Sequence, residues 1–442
     1  VESTLRRPPD VRRAAVDERL GSFLEFVRSR SDWHRDRLEG LDIGAVTSLD
    51  MSSLPTMNKR DLHDHWDEIV TDPDLTLDRA NRHLDSLVRD GFSFALGRYV
   101  ITATGGSTGV RSVIACDTDA WAFFNAGFLA PTRDSRPSSH DTGPVVQGRL
   151  VAQSAIHASG ATAAIAGGSV ADYVQVPPSM PIAEGVELLN GAQPTALGGY
   201  PSLLHLMALE QLAGRLNITP TSVTSAGEPL QAETRAIVLD AFGIETQNNY
   251  GSSEGFFGMS WRGSQLLNLT QDMTIVELVD ADNQPVPPGT QSAKMLITNL
   301  ANRLQPLIRY EITDEVTEAV IDRDSDDPTL NPPGPWTGRW IHPPQGRADD
   351  WFDYDGTIVH PHIFRSQLAA VPEIAEYQVA QTKAGADINV VVTRAIDQSA
   401  TGAAVAGELG RLGLDNPEVR IETVDAIERH PDSGKLRRFI PI

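Results

Sequence analysis

The chain is poor in cysteine and lacks long apolar runs. Its 442 residues include a single cysteine, Cys116, which excludes an internal disulfide framework and any metal site built from several cysteines. No apolar run reaches the length that spans a membrane, and the first twenty residues are polar and charged, unlike a secretory signal. We therefore expect a protein of the reducing cytoplasm.

Basic residues are also scarce. Lys and Arg total 37 against 59 Asp and Glu, so the formal net charge is -22. This surplus of negative charge disfavours nucleic acid and anionic membranes as partners. An anionic ligand would need a local binding site that supplies hydrogen-bond donors or positive charge, such as backbone amides, a helix N-terminus or a few basic side chains.

The pattern that is present is typical of an α/β protein with more than one domain. A length of 442 residues exceeds one ordinary domain. From about Tyr99, short apolar runs alternate with Gly-rich turns and helical stretches, which predicts an α/β sheet. Residues 273–320 predict antiparallel strands, and residues 11–40 predict an amphipathic helix within a helical cap over about residues 1–60.

A change of pattern near Asp349 predicts a domain boundary. A stretch rich in Pro, Gly and Asp precedes it, and the chain then resumes with strands and a helix around 403–412. We expect a large N-terminal domain over residues 1–347 and a small α+β domain over residues 348–442.

The segment TATGGSTGVRS, residues 102–112, follows an apolar β-like run. Its glycines would let backbone N–H groups approach a polyphosphate, and Ser107 and Thr108 add hydroxyl donors. It is not a Walker loop, because no Gly-Lys-Ser/Thr follows. Phosphate binding and an ordinary tight turn both fit the segment taken alone.

A serine hydrolase is a rival interpretation of the same glycines. Residues 105–109 and 251–255 both match the nucleophile-elbow pattern G-x-S-x-G. Neither match comes with an acid and a histidine in the required order and context. A hydrolase is disfavoured, and it would predict that Ser107 or Ser253 reacts with a fluorophosphonate.

Two further turn-rich motifs, SAGEPL at 225–230 and NNYGSSEG at 248–255, each contain or follow a β-like run. Loops at strand ends line ligand crevices in α/β sheets. Tyr250 offers a face that can stack on a purine, and Glu254 is a hard oxygen ligand suited to Mg²⁺. Taken separately, core packing is the favoured interpretation for Tyr250 and a solvated helix start is the favoured one for Glu254.

Six motifs in order resemble the adenylate-forming superfamily of acyl-CoA synthetases, adenylation domains and luciferases, and most of all its phenylacetate-CoA ligase branch. The motifs, within residues 102–438, are TATGGSTG, SAGEP, NYGSSEG, RYEITDEV, GRADD and SGKLRR. The earlier LPTMNKRDL also resembles that branch. The resemblance implies an N-terminal domain with parallel-type sheets and a small β-barrel-like subdomain, followed by a mobile C-terminal lid.

The resemblance also implies a nucleotide site, position by position. The β and γ phosphates of ATP would lie at Thr104, Gly105, Gly106, Ser107, Thr108 and Gly109. The adenine would lie against Gly227, Glu228, Pro229 and Tyr250, and Asn249 and Gly251 would also belong to the nucleotide site. Ser253 would lie near the α-phosphate, Glu254 would bind Mg²⁺, and Asp314 would accept hydrogen bonds from the ribose hydroxyls.

The remaining implied roles are catalytic. Lys435, in HPDSGKLRR, would bridge the substrate carboxylate and the α-phosphate; a cation between two anions stabilises the charge that concentrates in the transition state. Arg347 would reach the ribose or the α-phosphate, and Asp349 would be the hinge. After that hinge, WFDYDG replaces the branch's usual apolar run and Arg-Gly pair.

Other candidate residues carry weaker signals. The resemblance places His157, Gly199 and Tyr200 near the acyl pocket, although Tyr200 fits packing equally well. His360 and His362 form an HxH pair, for which a loop role is favoured over a metal site because no third ligand accompanies them.

The expected function is ATP- and Mg²⁺-dependent activation of a small carboxylic acid. The resemblance suggests an aromatic or small apolar acid, of a kind used in secondary metabolism, converted to an acyl-adenylate with release of pyrophosphate. The acyl group would pass to CoA, with a carrier protein or an amine as alternative acceptors. A non-catalytic protein that binds adenine nucleotides is the alternative from another class.

Overall fold

The structure is a computed structural model. The residues that it describes are 8–104, 112–134, 145–151, 155–166, 172–178, 180–260, 264–269, 271–322, 324–325, 339–344, 351–359, 361–371, 373–429 and 436–442.

Helices occur along the whole described chain. They are α1 Pro9–Arg30, α2 Asp32–Arg37, α3 Lys59–Asp64, α4 Trp66–Ile69, α5 Leu77–Asp90, α6 Thr118–Asp134, α7 Ala158–Ala166, α8 Ile182–Ala192, α9 Pro201–Leu212, α10 Ala232–Phe242, α11 His362–Ala369 and α12 Gln398–Arg411, with a 3₁₀ turn at Ile43–Ala45.

Strands begin after the first five helices. They are β1 Tyr99–Thr104, β2 Ser112–Asp117, β3 Val146–Leu150, β4 Asp172–Gln175, β5 Ala196–Gly199, β6 Ser222–Ser225, β7 Gln247–Gly251, β8 Phe257–Ser260, β9 Leu267–Leu269, β10 Thr274–Val279, β11 Lys294–Asn299, β12 Tyr310–Ile312, β13 Arg339–Ile341, β14 Phe352–Tyr354, β15 Thr357–Val359, β16 Ile374–Thr382, β17 Gly385–Val392, β18 Glu418–Thr423 and β19 Phe439–Ile440.

Side chains at the helix ends explain several of these boundaries. Asn58 and Asp61 form a reciprocal capping box that begins α3. Pro201 is the first residue of α9, where its fixed φ suits a helix and its missing N–H costs no hydrogen bond. The carboxylate of Asp397 accepts from the amide of Ala400 and so begins α12.

The described residues form two compact units. The first lies within 1–145, 153–172 and 247–343. In it β1 and β2 form an antiparallel hairpin, β10, β11 and β12 form an antiparallel sheet, and β7, β8, β9 and β13 pair antiparallel in that order. The antiparallel strands predicted from the sequence in this region are confirmed. The core includes Trp66, Phe256 and Tyr310.

The second unit lies within 146–152, 173–246 and 344–442. Strands β3, β5 and β6 run parallel, and β4 lies beside β3. Apolar residues of these strands and of α8, α9 and α10 form one core, because a parallel sheet buries its faces under helices. The mixed α/β fold predicted from the sequence is confirmed.

A smaller sheet lies in the same unit, in the order β18-β17-β16-β19. Its core is shared with α11 and α12. The WFDYDG segment forms the hairpin β14-β15, whose turn holds Asp355 and Gly356, and Asp353 Oδ1 accepts from the amide of Gly356 at 2.7 Å. The boundary between residues 347 and 348 lies outside the described residues and stays a prediction. No helix in the described part of the chain is long and apolar enough to cross a membrane.

Candidate functional site

The Gly-rich loop closes the hairpin of β1 and β2. Thr104, at the end of β1, pairs with Ser112, at the start of β2. The hairpin therefore brings the two ends of the loop together. The loop itself lies outside the described residues, and with it the predicted phosphate ligands Gly105, Gly106, Ser107, Thr108 and Gly109.

His157 lies beside the base of this loop. The amide of Ala103 donates to the carbonyl of Ile156 at 2.8 Å, and His157 Nδ1 lies 3.0 Å from the carbonyl oxygen of Ala103. Because a carbonyl only accepts, Nδ1 carries the hydrogen. His157 is buried and is thus held against β1 by its ring. Its predicted place in an acyl pocket stays a prediction.

Tyr250 and Asp314 meet through their side chains. The Tyr250 hydroxyl donates to Asp314 Oδ2 at 2.7 Å. The Tyr250 ring is half-buried and meets the ring of Phe256 edge-on, with 5.0 Å between centroids. The structure thus brings together the two residues that the sequence assigned to adenine and ribose.

Glu254 follows β7 and is buried, with 6% of its surface exposed. Its Oε2 has no hydrogen-bond partner among the described residues. The turn is fixed by its backbone, since Asn299 Nδ2 donates to the Glu254 carbonyl at 2.9 Å. Gly255 has φ of +106° and no room for a Cβ, which would lie 2.0 Å from Asn299 Nδ2.

The charge of Glu254 acts on Tyr310, which is hydrogen-bonded to Ser112 at the base of the Gly-rich loop. Burial and the charge of Glu254 raise the pKa of Tyr310, against a hydrogen bond with Ser112 that lowers it. Ser112 is the residue that pairs with Thr104 at the loop base. Tyr310 thus lies between the buried carboxylate of Glu254 and the first residue of β2.

A buried carboxylate oxygen without a partner is costly unless a cation or donor reaches it. Glu254 consequently fits a cation. The described residues contain no group of three or more His, Cys, Asp or Glu that could hold a metal. A Mg²⁺ ion at Glu254 would take its other ligands from phosphate oxygens and water, as this ion commonly does.

The other predicted residues of this motif surround the same turn. Asn249 Oδ1 is buried and has no partner among the described residues. A Cβ at Gly251 would lie 2.8 Å from the carbonyl oxygen of Phe256, so this strand end admits only glycine without a shift. Ser253 is half-buried.

The predicted SAGEP residues lie at the carboxyl ends of β5 and β6. The amide of Ala226 donates to the carbonyl of Gly199 at 3.0 Å, which joins the two strand ends. Gly227, with φ of +84°, and Pro229 continue this loop. Tyr200 is buried in the core of the second unit with neighbours such as Leu203, and its role as a pocket wall stays a prediction.

The carboxylate of Glu228 accepts two backbone hydrogen bonds. Oε2 accepts from the amide of Ser202 at 3.1 Å, at the start of α9. Oε1 accepts from the amide of Leu436 at 2.8 Å. The residue expected to border adenine thus contacts the segment that follows Lys435.

Arg429 and Glu376 complete this cluster, and the sequence analysis missed both. Arg429 donates to Ser202 Oγ at 2.7 Å and to Glu376 Oε1 at 2.5 Å. Burial raises the pKa of Glu376, and the charges of Arg429 and Arg438 oppose that rise. No local motif marks these residues, because their partners are distant in sequence.

The predicted catalytic residues Arg347 and Lys435 and the predicted hinge residue Asp349 lie outside the described residues. The same holds for His360, and the side chain of His362 is likewise not described. Their roles stay predictions.

The fold is that of the adenylate-forming ligases. Over 99% of this chain and 91% of the other, it matches 2-hydroxyisobutyryl-CoA ligase in the postadenylation state with R3-HIB-AMP, at a TM-score of 0.68 and 18% identity. It also matches the anthranilate CoA ligase AuaEII in complex with anthranoyl-AMP, over 77% of this chain and 65% of that one, at a TM-score of 0.52 and 16% identity.

A third match is the amide bond synthetase McbA from Marinactinospora thermotolerans, with a TM-score of 0.50, 15% identity and coverage of 75% of this chain and 67% of that one. Identities this low show a shared fold, and activity has to be argued from the site. No family model matches the sequence. No curated protein matches it significantly either. The phenylacetate-CoA ligase branch therefore stays a prediction.

Proposed function

We propose that the chain activates a small carboxylic acid with ATP, forming an acyl-adenylate and pyrophosphate. The observation that carries this proposal is the arrangement around β7, where Tyr250 is hydrogen-bonded to Asp314 and the buried Glu254 has a carboxylate oxygen that bonds to none of the described residues. An aromatic ring, an acceptor for ribose hydroxyls and a ligand for Mg²⁺ are the three groups that a nucleotide requires.

Each group would have a separate task. The Tyr250 ring would stack on adenine, and Asp314 would accept from the ribose hydroxyls through lone pairs that Tyr250 leaves unused. Glu254 would hold Mg²⁺, which when bound neutralises charge on the phosphates. The Gly-rich loop, whose ends are fixed by the pairing of Thr104 with Ser112, would surround the β and γ phosphates.

The chemical step would be attack by a carboxylate oxygen on the α-phosphorus. A new bond forms between that oxygen and phosphorus, the bond from the α-phosphorus to its bridging oxygen breaks, and pyrophosphate leaves with the electron pair. Because two anions meet, the ammonium group of Lys435 would stabilise the charge that builds up between them. Arg347 would assist at the ribose or the α-phosphate.

A second step would transfer the acyl group to CoA. The lid would turn about Asp349, and the CoA thiolate would attack the acyl carbonyl and displace AMP, giving a thioester. The acid would be aromatic or small and apolar. The fold supports CoA as the acceptor, since a ligase of the same fold was solved with its acyl-adenylate and CoA; a carrier-protein thiol or an amine is the alternative.

Pyrophosphate release tests the proposal directly. ATP and Mg²⁺ are supplied with a panel of aromatic and short aliphatic acids, with and without CoA, to wild type, Lys435→Ala and a control, Lys383→Ala. Lys383 is exposed in the turn between β16 and β17, so its loss is expected to leave the rate unchanged. Acid-dependent release should fall about a hundredfold or more in Lys435→Ala alone.

The outcomes separate the competing functions. A thioester formed only with CoA identifies the acceptor. ATP binding without pyrophosphate release from any acid would contradict the proposal and indicate a nucleotide-binding protein without this activity.

A further inference from the structure

The backbone carbonyl of Glu254 is held by a side chain 45 positions away. Asn299, the last residue of β11, is buried, and its Nδ2 donates to that carbonyl at 2.9 Å. Gly255, which follows Glu254, has φ of +106°, and a Cβ there would lie 2.0 Å from the same nitrogen. The carbonyl of Gly255 accepts from Thr274 Oγ1 at 2.7 Å. The turn that carries Glu254 is therefore attached to β10 and β11 through two side chains.

Asn299 is itself fixed by the residues that follow β11. Its Oδ1 accepts from the amides of Ala301 at 3.0 Å and Asn302 at 3.2 Å. Asn302 is buried as well, and its Nδ2 donates to the carbonyl of Ala115 in β2 at 2.8 Å. Moving either buried amide would leave polar groups unpaired at a cost in free energy, so we expect both side chains to keep one arrangement.

Gln305 attaches the same segment to β2 at a second point. It is fully buried, its Oε1 accepts from the amide of Ala115 at 2.9 Å, and its Nε2 donates to the carbonyl of Val113 at 3.1 Å. Val113 is the second residue of β2. A continuous series of buried hydrogen bonds thus joins the turn that carries Glu254 to the start of β2.

We infer that Asn299 is a positioning residue for Glu254, an inference that rests on the proposed function. Glu254 Oε2 has no hydrogen-bond partner in the described part of the chain, so the place of this oxygen depends on where the backbone holds the residue. Asn299 fixes that backbone, and Asn302 and Gln305 fix the segment of Asn299 relative to β2. Mg²⁺ requires near-ideal octahedral geometry, so a shifted carboxylate should bind it more weakly.

A purely structural role of Asn299 predicts a different result. Loss of the side chain lowers the stability of the fold in either case. If Asn299 acts through Glu254, its loss also lowers kcat and raises the Mg²⁺ concentration needed for half-maximal rate. The dissociation constant of ATP measured without Mg²⁺ should stay almost unchanged, because binding of ATP alone does not use the metal ligand.

Two substitutions of Asn299 have one loss in common. Asn299→Leu has a similar branched shape and no charge, but it removes both the donor and the acceptor. Asn299→Asp, once ionised, keeps the acceptor for the amides of Ala301 and Asn302 and removes the donor. A defect that both variants share therefore comes from the lost bond to the Glu254 carbonyl.

The matched control is Ser31→Ala. Ser31 is buried, its Oγ donates to the Glu68 carbonyl at 2.8 Å, and the same oxygen accepts from the amide of His34 at 3.4 Å. This variant thus loses hydrogen bonds of the same kinds in another part of the chain, so it should lower only the unfolding temperature. Both Asn299 variants should in addition lower kcat about tenfold and raise the half-maximal Mg²⁺ concentration about fivefold, with the dissociation constant of ATP changed less than about twofold.

A double variant tests whether Asn299 acts through Glu254. In the Glu254→Gln background, Asn299→Leu should lower kcat by less than about twofold more. Multiplicative losses in rate would overturn the inference. So would a half-maximal Mg²⁺ concentration that stays at the wild-type value in Asn299→Leu while the unfolding temperature falls as it does in Ser31→Ala.

Hydrogen exchange provides a readout that does not need activity. Exchange in the peptide of residues 250–258 should be faster in Asn299→Leu than in wild type and unchanged in Ser31→Ala; Asn299→Asp replaces the first variant should that variant fail to fold. Unchanged exchange in this peptide would refute the inference even if wild type adenylates an acid. Faster exchange, in a protein whose wild type releases no pyrophosphate, would instead contradict the proposed function and retain the attachment of the turn.

Discussion

The hydroxyl of Tyr250 donates a hydrogen bond of 2.7 Å to Oδ2 of Asp314, a residue 64 positions further along the chain. Both residues belong to the first compact unit. The bond orients the ring proposed to stack on adenine and the carboxylate proposed to accept hydrogen bonds from the ribose hydroxyls. Its consequence is that the two residues should act on nucleotide affinity together rather than independently.

Removing the hydroxyl tests this coupling. Tyr250→Phe keeps the ring and loses a bond of about 1 kcal/mol, so the KM for ATP is expected to rise about fivefold. Asp314→Asn should raise it further, because the charge-assisted contact to the ribose is lost. The combined variant should cost less than the product of the two effects. Steady-state pyrophosphate assays measure all three, and purely multiplicative effects would contradict the coupling.

Glu254 should show opposite effects on stability and activity. Glu254→Gln removes the charge of a buried carboxylate whose Oε2 has no partner in the described part of the chain, so thermal unfolding without Mg²⁺ should occur at an equal or higher temperature. The same change should lower kcat at least about tenfold and raise the Mg²⁺ concentration needed for half-maximal rate.

The matched control for Glu254 is Glu277, a half-buried carboxylate paired with Arg309 at 2.9 Å. Glu277→Gln breaks that pair and should destabilise the fold by about 3 kcal/mol. If Glu254→Gln unfolds at as low a temperature as Glu277→Gln, Glu254 stabilises the fold and is not a cation ligand.

Substitution of Gly199 tests how closely the end of β5 packs beside the SAGEP loop. An added Cβ would lie 2.2 Å from the Leu150 carbonyl oxygen, whereas at the neighbouring Gly198 the nearest atom would be 3.7 Å away. Gly199→Ala should therefore cost about 3 kcal/mol or more through displaced backbone, and Gly198→Ala should cost much less. Urea denaturation of the two variants compares them, and equal midpoints would show that β5 shifts without penalty.

Much of the fold follows from local pattern. Strands β10 and β11 were predicted because apolar, β-branched runs are separated by a turn rich in Pro and Gly, and both were found. The helix expected around 403–412 instead runs from Gln398 to Arg411. It begins earlier because Asp397 caps it, and Ser-Ala-Thr-Gly carries no apolar periodicity to reveal that first turn.

The partners of Glu228 could not be predicted in this way. Its bond to the Leu436 amide joins positions 208 residues apart, and no periodic signal encodes such a pair. Family resemblance assigned Glu228 to the adenine because it aligned a motif, whereas the contacts of its carboxylate depend on how the C-terminal segment packs. Tyr250 and Asp314, by contrast, were both placed at the nucleotide by their motifs, and the structure brings them into contact.

The last prediction concerns pH and His34. Burial lowers the pKa of His34 from 6.5 to about 4, although its hydrogen bond to the Pro306 carbonyl raises it; the charge of Arg37 lowers it further. The folded state then binds fewer protons than the unfolded state between pH 6.5 and 4. Stability should consequently fall as the pH drops through this window, and His34 alone should cost about 2 kcal/mol at pH 5 relative to pH 8.

His34→Gln should remove this part of the pH dependence, because glutamine does not titrate and keeps an N–H donor for the Pro306 carbonyl. Urea midpoints of wild type and variant at pH 8 and pH 5 measure the difference. The variant should lose less stability than wild type between pH 8 and pH 5. Some loss should remain in both proteins because of His205. Burial, together with the charge of Arg438, lowers the pKa of His205 to about 4 as well, so its effect on stability has the same sign. An equal loss in both proteins would mean that His34 gains its proton without opening the fold.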